Sequence, residues 1–222
     1  MPPTRKTLID VSHTVEHGMI TYKDFPGPVI CDWLSREASR AKYSHGTEFQ
    51  IGRIELIGNT GTYVDSPFHR YANGKDLSEL PLESVADIDC VVVRIDATHN
   101  GVIDTVPLSE RDVAGRAVLF HTGWDRHWRT DAYFDGHPHL TERAAEWLAK
   151  AGARIVGIDS FNIDSISTGE RPVHSVLLGH EIPIVEHMRG LGAVPDEGGR
   201  FSAVPVKVKG FGTFPVRAFV AV

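Results

Sequence analysis

The sequence is poor in cysteine and contains no long apolar run. Cys31 and Cys90 are the only cysteines among 222 residues. They are too few for a disulfide framework and match no zinc-finger spacing, so we expect reduced thiols. No run approaches the roughly 18 apolar residues that a membrane-spanning helix requires, and residues 1–6 lack the apolar segment of a secretory signal. These absences predict a cytoplasmic protein without a membrane partner.

A surplus of basic residues is also absent. Lysine and arginine number 23 against 29 aspartates and glutamates, which gives a formal net charge of −6. Nucleic-acid binding needs a concentrated basic face, so we predict no nucleic-acid partner. The hydrophobic share of 41% and the charged share of 23% are ordinary for a globular protein. The 12 histidines are the unusual feature, and they point towards metal or proton chemistry.

The hydrophobic pattern predicts strands that alternate with helices. Strands are predicted at residues 7–12, 49–57, 90–95, 116–121, 154–159, 182–186, 203–209 and 216–222. A helix is predicted from the Thr141 cap to Lys150, ended by Gly152, and a shorter helix covers residues 175–178. Such alternation favours parallel strand pairing through helical crossovers. We therefore predict an α/β fold in one compact domain, residues 1–222, with a mixed, partly parallel β-sheet and crossover helices.

The segment from Asn59 to His69 carries the strongest functional signal. It reads Asn-Thr-Gly-Thr-Tyr-Val-Asp-Ser-Pro-Phe-His and is predicted to form a tight loop after a strand. Loops of this kind often hold functional groups on a rigid scaffold. Asp65 and His69 lie four residues apart in it. They are a carboxylate and an imidazole that can converge on one centre, with a merely loop-stabilising pair as the alternative.

This segment resembles the motif His-x-Gly-Thr-His-x-Asp-x-Pro-x-His of the cyclase family of metal-dependent hydrolases, which includes bacterial kynurenine formamidases and isatin hydrolases. The matching residues are Gly61, Thr62, Asp65, Pro67 and His69. Asn59 and Tyr63 stand where the two leading histidines are expected. Further resemblance lies at residues 10–13, 121–124, 157–160, 172–174 and 179–186. The chain is therefore identified as a divergent member of this family that lacks two motif histidines.

The resemblance implies a fold, an assembly and a set of metal ligands. The fold would be of the swivelling β/β/α type, assembled as a homodimer or homotetramer. Formamidase-like members hold one metal with the two leading histidines and the aspartate. They hold a second metal with that aspartate, a later histidine and a glutamate. By position the second set is Asp65, His174 and Glu186, and only Asp65 remains of the first. We therefore expect one divalent ion, zinc or manganese, held by these three residues.

Four other residues are assigned to proton transfer and substrate binding. The resemblance implies that His69 transfers protons beside the metal. A phenol must lose a proton of pKa about 10 before it binds metal well, so we expect Tyr63 to donate a hydrogen bond to the substrate carbonyl instead. Asn59 offers only a weakly ligating amide oxygen and is assigned to the substrate pocket. Trp124 is assigned there too, as a stacking wall, with a core position as the alternative.

These residues predict a metal-dependent hydrolase that uses an activated water. The substrate would be a small amide, formamide, lactam or lactone, and the activity would be similar to that of an arylformamidase. Two alternatives stay open. One is a non-catalytic homologue that binds a small molecule or serves in assembly after losing part of the metal site. The other is a lyase or isomerase that uses His69 as a base.

Overall fold

The computed structural model of the chain describes residues 6–95, 101–108 and 111–222. Over these residues the strands, numbered β1 to β13, are Leu8–Asp10, Val29–Leu34, Ile51–Glu55, Tyr63–Asp65, Ile88–Arg94, Val102–Ile103, Ala117–His121, His139–Leu140, Ile155–Ile158, Ile184–Glu186, Gly199–Ser202, Thr213–Pro215 and Phe219–Ala221. The helices α1 to α3 are Arg36–Arg40, Glu142–Ala151 and Pro172–Gly179. Residues 1–5, which carry most of the prediction about a secretory signal, lie outside the described residues.

Nine of these strands form one sheet in the order β1-β13-β11-β5-β7-β9-β10-β4-β12. Its centre, from β5 through β7 and β9 to β10, is parallel. Both flanks are antiparallel. Helix α2 precedes β9 and α3 precedes β10 in the chain, so they provide the crossovers that parallel neighbours require. The predicted α/β fold with a mixed, partly parallel sheet is confirmed.

Both faces of the sheet centre are buried. In β5, Val91 and Val93 face the core that contains Leu148 of α2. Cys90 and Val92, which alternate with them, face the core on the other side of the sheet. A strand with two buried faces needs apolar side chains at every position. This requirement explains the continuous apolar run that predicted β5.

Helix α2 begins and ends at the residues that the sequence indicates. The Thr141 hydroxyl accepts a hydrogen bond from the Ala144 N–H at 3.1 Å, and Gly152 ends the helix at φ 81°. Helix α3 is longer than predicted because it begins at Pro172, whose missing N–H is not needed in a first helical turn. Among the described residues, no helix combines the length and the apolar character needed to cross a membrane.

Two predictions about local structure are wrong. Residues 203–209 do not form a strand; the strand β11 ends at Ser202. The Ala203 N–H donates to the Val85 carbonyl instead, and Pro205 has no N–H for a ladder. The motif around Asp65 is also not entirely a loop, because its residues Tyr63–Asp65 form the buried strand β4 between β10 and β12.

Strands β2 and β3 form a hairpin of their own, separate from the main sheet. Ile30 lies directly opposite Ile54 in this hairpin. These two side chains are 40% and 54% exposed, and Trp33 is 74% exposed. A two-stranded hairpin is only marginally stable by itself in water. The hairpin therefore presents apolar surface that neither core of the described chain covers.

We predict that Thr141→Ala lowers the free energy of unfolding by about 1 kcal/mol, because it removes the N-cap of α2. Urea denaturation followed by circular dichroism measures this change. Thr141→Ser is the matched control, since it keeps the capping hydroxyl and should retain most of the stability. Equal destabilisation by both variants would contradict the capping role.

Candidate metal centre

The register of β4 against β10 and β12 places three polar side chains on one face of the sheet. Tyr63 lies opposite Glu186, and Asp65 lies opposite both Ile184 and Thr213. Residues that oppose each other share a face, as do residues two apart in a strand. Tyr63, Asp65 and Glu186 therefore project together, and all three are at most 1% exposed.

Helix α3 adds His174 to this group, and Asp164 orients it. The Asp164 carboxylate accepts hydrogen bonds from the Val173 N–H at 2.8 Å and the His174 N–H at 3.0 Å. It also lies 2.6 Å from Nδ1 of His174. A buried carboxylate in this position accepts a hydrogen bond from Nδ1–H and leaves Nε2 to act as a ligand. Asp164 thus caps the helix and sets the direction of the imidazole.

The free nitrogen of His174 faces two carboxylates. Nε2 lies 3.7 Å from Oδ2 of Asp65 and 3.7 Å from Oε1 of Glu186. Oδ2 of Asp65 is buried and has no hydrogen-bond partner in the described part of the chain. Ligands about 2.1 Å from a tetrahedral zinc lie about 3.4 Å from one another. Both distances from His174 are close to that separation, and the unpaired oxygen and the mixed nitrogen and oxygen donors fit a divalent ion.

The charges in this cluster perturb one another. Burial opposes protonation of His174, but the Asp164, Asp65 and Glu186 carboxylates outweigh it and raise the pKa of His174 to about 10. Burial, opposed by the His174 charge and assisted by the Asp65 charge, raises the pKa of Glu186 to about 7. Both shifts favour the protonated form of the group, so they mark a place where additional positive charge is favoured. A bound cation supplies that charge without a proton.

His69 lies at the exposed edge of the same cluster. Asp65, His69 and His174 each offer one ligand atom, and these atoms lie within 4.8 Å of one another. Nδ1 of His69 is 3.7 Å from Oδ1 of Asp65 and 2.8 Å from Oγ1 of Thr213. The Thr213 hydroxyl donates its only proton to Asp65 at 2.5 Å, so it accepts from Nδ1–H of His69. Nε2 of neutral His69 is then unprotonated.

The hydroxyl of Tyr63 forms hydrogen bonds with other residues of the protein. Its hydroxyl donates to Oε2 of Glu186 at 2.5 Å and lies 2.7 Å from the Tyr22 hydroxyl. Burial first, and then the Glu186 charge, raise the pKa of Tyr63 well above its usual range. The side chain is therefore a neutral donor rather than a metal ligand. In this structure Tyr63 donates to Glu186 the hydrogen bond that it was expected to donate to a substrate carbonyl.

A cavity of about 250 Å³ opens over these residues and includes Asn59, Tyr63, His69, His174 and Glu186 in its lining. The assignment of Asn59 to the pocket agrees with this position. Trp124 does not line this cavity in the described chain. Its indole N–H donates to the Tyr133 carbonyl at 3.1 Å, and its ring lies 4.6 Å from that of His127.

A second cavity of about 840 Å³ adjoins the first and supplies the aromatic wall that was assigned to Trp124. The two cavities share Tyr22 and Phe25, and the larger one adds Phe134 and Phe161. The Tyr22 ring lies 5.2 Å from Phe25 and 4.8 Å from Phe161. Phe161 lies 5.4 Å from Phe134. These rings form a continuous apolar surface beside the metal centre.

Sequence reasoning missed Asp164, Thr213 and the tyrosine partner Tyr22. Asp164 had no local signal, because an N-cap residue directly precedes the first helical residue and that position is occupied by Arg171. For Thr213, the only signal in the sequence was the adjacent glycine, Gly212. A Cβ on Gly212 would lie 2.6 Å from the His69 nitrogen, so glycine is what lets β12 approach His69. Tyr22 is 41 residues from Tyr63 and had no local signal.

The fold and the site define a metal-dependent hydrolase class, and sequence comparison identifies the family. A profile of the family described as "Putative cyclase" matches residues 9–165. This chain belongs to that family. The kynurenine formamidase of Bacillus thuringiensis subsp. konkukian (strain 97-27) is 27% identical over 213 residues, 96% of each chain. The kynurenine formamidase of Erythrobacter litoralis (strain HTCC2594) is 28% identical over 171 residues, 75% of this chain and 74% of that one.

Solved structures of related proteins share the fold. A predicted metal-dependent hydrolase from Bacillus stearothermophilus is 26% identical, with a TM-score of 0.76 over 98% of this chain and 99% of that one. Isatin hydrolase A from Labrenzia aggregata is 20% identical, with a TM-score of 0.82 over 98% and 94%. The latter similarity concerns the fold alone. Both structural matches cover nearly the whole of this chain.

We predict that Thr213→Val weakens binding of zinc or manganese by about 10- to 100-fold, because it removes the hydroxyl that orients Asp65 and His69. Competition with a chromophoric chelator measures the affinity. Thr213→Ser keeps the hydroxyl and should bind metal nearly as the natural protein does. If valine leaves the affinity unchanged, the Thr213 hydroxyl does not support the metal site.

Proposed function

We propose that this protein is a metal-dependent, arylformamidase-like hydrolase of small aromatic amides or formamides. One observation carries the proposal. Asp65, His174 and Glu186 are buried, Nε2 of His174 lies 3.7 Å from a carboxylate oxygen of each acid, and Oδ2 of Asp65 has no partner among the described residues. Both curated relatives compared above are kynurenine formamidases. The aromatic wall beside the site suits an aryl substituent.

We assign the metal ligands to Asp65, His174 and Glu186, with zinc or manganese as the ion. Two carboxylates and one imidazole suit either metal, and three protein ligands leave room for water. When bound, such an ion supplies Lewis-acid polarisation and an acidified water at neutral pH. His69 lies within ligand reach of Asp65 and His174, but we assign it to proton transfer because its side chain is 36% exposed and open to the cavity.

We assign one ion per chain rather than two. The second position would need ligands at Asn59 and Tyr63, which the family motif fills with histidines. Tyr63 stays neutral and donates a hydrogen bond to Oε2 of Glu186, so that oxygen of Glu186 is engaged by a phenol instead of a cation. The amide of Asn59 is a weak ligand. The hydroxyl of Tyr63 thus takes the place of a second positive charge beside Glu186.

The protein's own groups supply the proton transfers. Nε2 of His69 is unprotonated in the neutral ring, because Nδ1–H donates to Thr213. It accepts a proton from the attacking water and returns it to the nitrogen of the leaving amine. Asp65 and Thr213 hold the imidazole in this orientation. The aromatic rings of Tyr22, Phe25 and Phe161 position the substrate and exclude water from one side of the reacting carbonyl.

We predict that the purified protein contains about one zinc or manganese per chain and releases formate from N-formylaniline. Elemental analysis and a formate assay measure these quantities. His174→Ala should lose both the metal and the activity, whereas His69→Gln should keep the metal and lose most of the turnover. Metal that survives His174→Ala would contradict the ligand set.

The same experiment separates the two alternative functions. A non-catalytic homologue would bind small molecules but would release no formate from a formamide and no acid from a lactone or lactam. A lyase or isomerase would depend on His69 yet release no acid by addition of water. Hydrolysis that requires both His69 and His174 excludes both alternatives.

We further propose that the protein is a homo-oligomer formed through the β2–β3 hairpin. Ile30 and Ile54 pair on one face of the hairpin and stay exposed, as does Trp33. Exposed apolar patches of this kind mark protein interfaces. A two-fold contact presents the same patch from both copies, and an apolar patch is complementary to itself. A second copy of this chain is therefore the proposed occupant.

We predict that Ile54→Glu converts a dimer or tetramer into smaller species, measured by size-exclusion chromatography with light scattering. The buried charge would oppose association through the hairpin. Leu82→Glu is the matched control, because Leu82 is 64% exposed and lies outside the hairpin; it should leave the assembly unchanged. A monomeric natural protein would overturn the proposal.

A further inference from the structure

The cavity over the metal centre has an acidic floor and a basic rim. Glu186 lies at the floor, and the buried Asp65 lies behind it, 3.7 Å from His174, where a metal ion would balance the two carboxylates. Arg70 and Arg171 belong to the lining at the rim. These guanidinium groups are separate from the carboxylates that the metal would neutralise. The rim therefore carries positive charge towards an entering substrate.

The two arginines are held differently. Nε of Arg70 donates to the Ser175 hydroxyl at 3.1 Å, and its guanidinium lies 5.3 Å from the centre of the Tyr71 ring. Among the described residues, Arg171 forms hydrogen bonds through Nη1 alone. That nitrogen lies 3.2 Å from the Ser165 carbonyl, 2.8 Å from that of Thr168 and 2.7 Å from that of Glu170. Nη2 and Nε of Arg171 have no partner among the described residues.

Arg171 also occupies an unusual electrostatic position. It is the N-cap residue of α3, and its side chain makes no capping hydrogen bond. Helix N-termini carry partial positive charge, so they disfavour a cation. No carboxylate of the described chain pairs with Arg171, whereas Lys23 in the neighbouring cavity pairs with Asp131 at 3.6 Å. The fold thus holds an unneutralised guanidinium in a place where an anion would be stabilised.

Arg171 is one of four residues that line both cavities; the others are Tyr22, Phe25 and Asn162. A substrate whose ring rests on the aromatic wall and whose carbonyl reaches the metal centre must pass this junction. A carboxylate accepts two parallel hydrogen bonds from a guanidinium with two free nitrogens. Arg171 offers Nη2 and Nε in that arrangement.

We propose that Arg171 is a specificity-determining residue that binds a carboxylate carried by the aromatic substrate. This assignment rests on the proposed hydrolase function and narrows its substrate class to anionic aromatic amides and formamides. Arg171 takes no part in proton transfer. It acts by binding the anionic substituent while the amide carbonyl lies at the metal centre.

The test compares 2-(formylamino)benzoate, which is anionic, with N-formylaniline, which is neutral. The natural protein should prefer the anionic substrate by about tenfold or more in kcat/KM. Arg171→Gln should remove that preference, chiefly by raising KM for the anionic substrate, and should change kcat/KM for N-formylaniline by less than about threefold. Arg171→Lys should keep part of the preference, because it keeps the charge but not the paired donors.

Arg143→Gln is the matched control, since Arg143 is an exposed arginine of α2 that pairs with Asp104. It should leave the preference intact. An equal loss for both substrates in Arg171→Gln would show a structural role and overturn the proposal. Absence of any preference in the natural protein would also overturn it.

Binding of benzoate and benzamide by calorimetry separates this proposal from the hydrolase function. Benzoate binding that weakens in Arg171→Gln supports the carboxylate site even if neither formamide is hydrolysed, in which case only the proposed activity fails. Benzoate binding that disappears in His174→Ala and is unchanged in Arg171→Gln assigns the carboxylate to the metal. That result would overturn the role of Arg171.

Discussion

The candidate site depends on the antiparallel pairing of β4 with β10. This pairing sets Tyr63 opposite Glu186 and Asp65 opposite Ile184, which buries two carboxylates on the same face of the sheet at the edge of its parallel centre. Burying two like charges is costly unless positive charge accompanies them. The protein meets this requirement with His174, whose Nε2 faces both, and the geometry leaves space for a metal ion among them. A shift of β4 by one residue would turn Tyr63 and Asp65 to the opposite face of the sheet, away from Glu186.

Supporting residues decide how the ligands are used. Asp164 joins the start of α3 to Nδ1 of His174, so the helix and the ligand are oriented by one carboxylate. Thr213 joins Asp65 to His69 through one hydroxyl. Each link fixes which nitrogen of an imidazole carries a proton. In the proposed site His174 is a buried ligand and His69 an exposed base, and this difference follows from their partners and not from residue type.

The departures from the family motif have a consistent physical consequence. Tyr63 is large, buried and neutral, and it donates to the same glutamate that a cation would otherwise contact. Tyr22 lies against it and continues into the aromatic wall of the larger cavity. In the proposed site, tyrosine in place of a histidine therefore favours one ion, and it joins the site to an apolar surface. The family relationship fixes neither of these features.

Local pattern in the sequence determined the strands β5, β7 and β9, the Thr141 cap and the identity of Asp65, His69, His174 and Glu186 as candidate site residues. These features follow from side-chain burial, backbone capping and motif spacing, which act over a few residues. Tertiary structure alone decided that residues 203–209 leave the sheet, that Tyr63 points to Glu186, and that Phe161 and Tyr22 rather than Trp124 line the pocket. Those outcomes depend on contacts between residues far apart in the chain, such as Tyr22 and Tyr63, and on a strand register that no local pattern encodes.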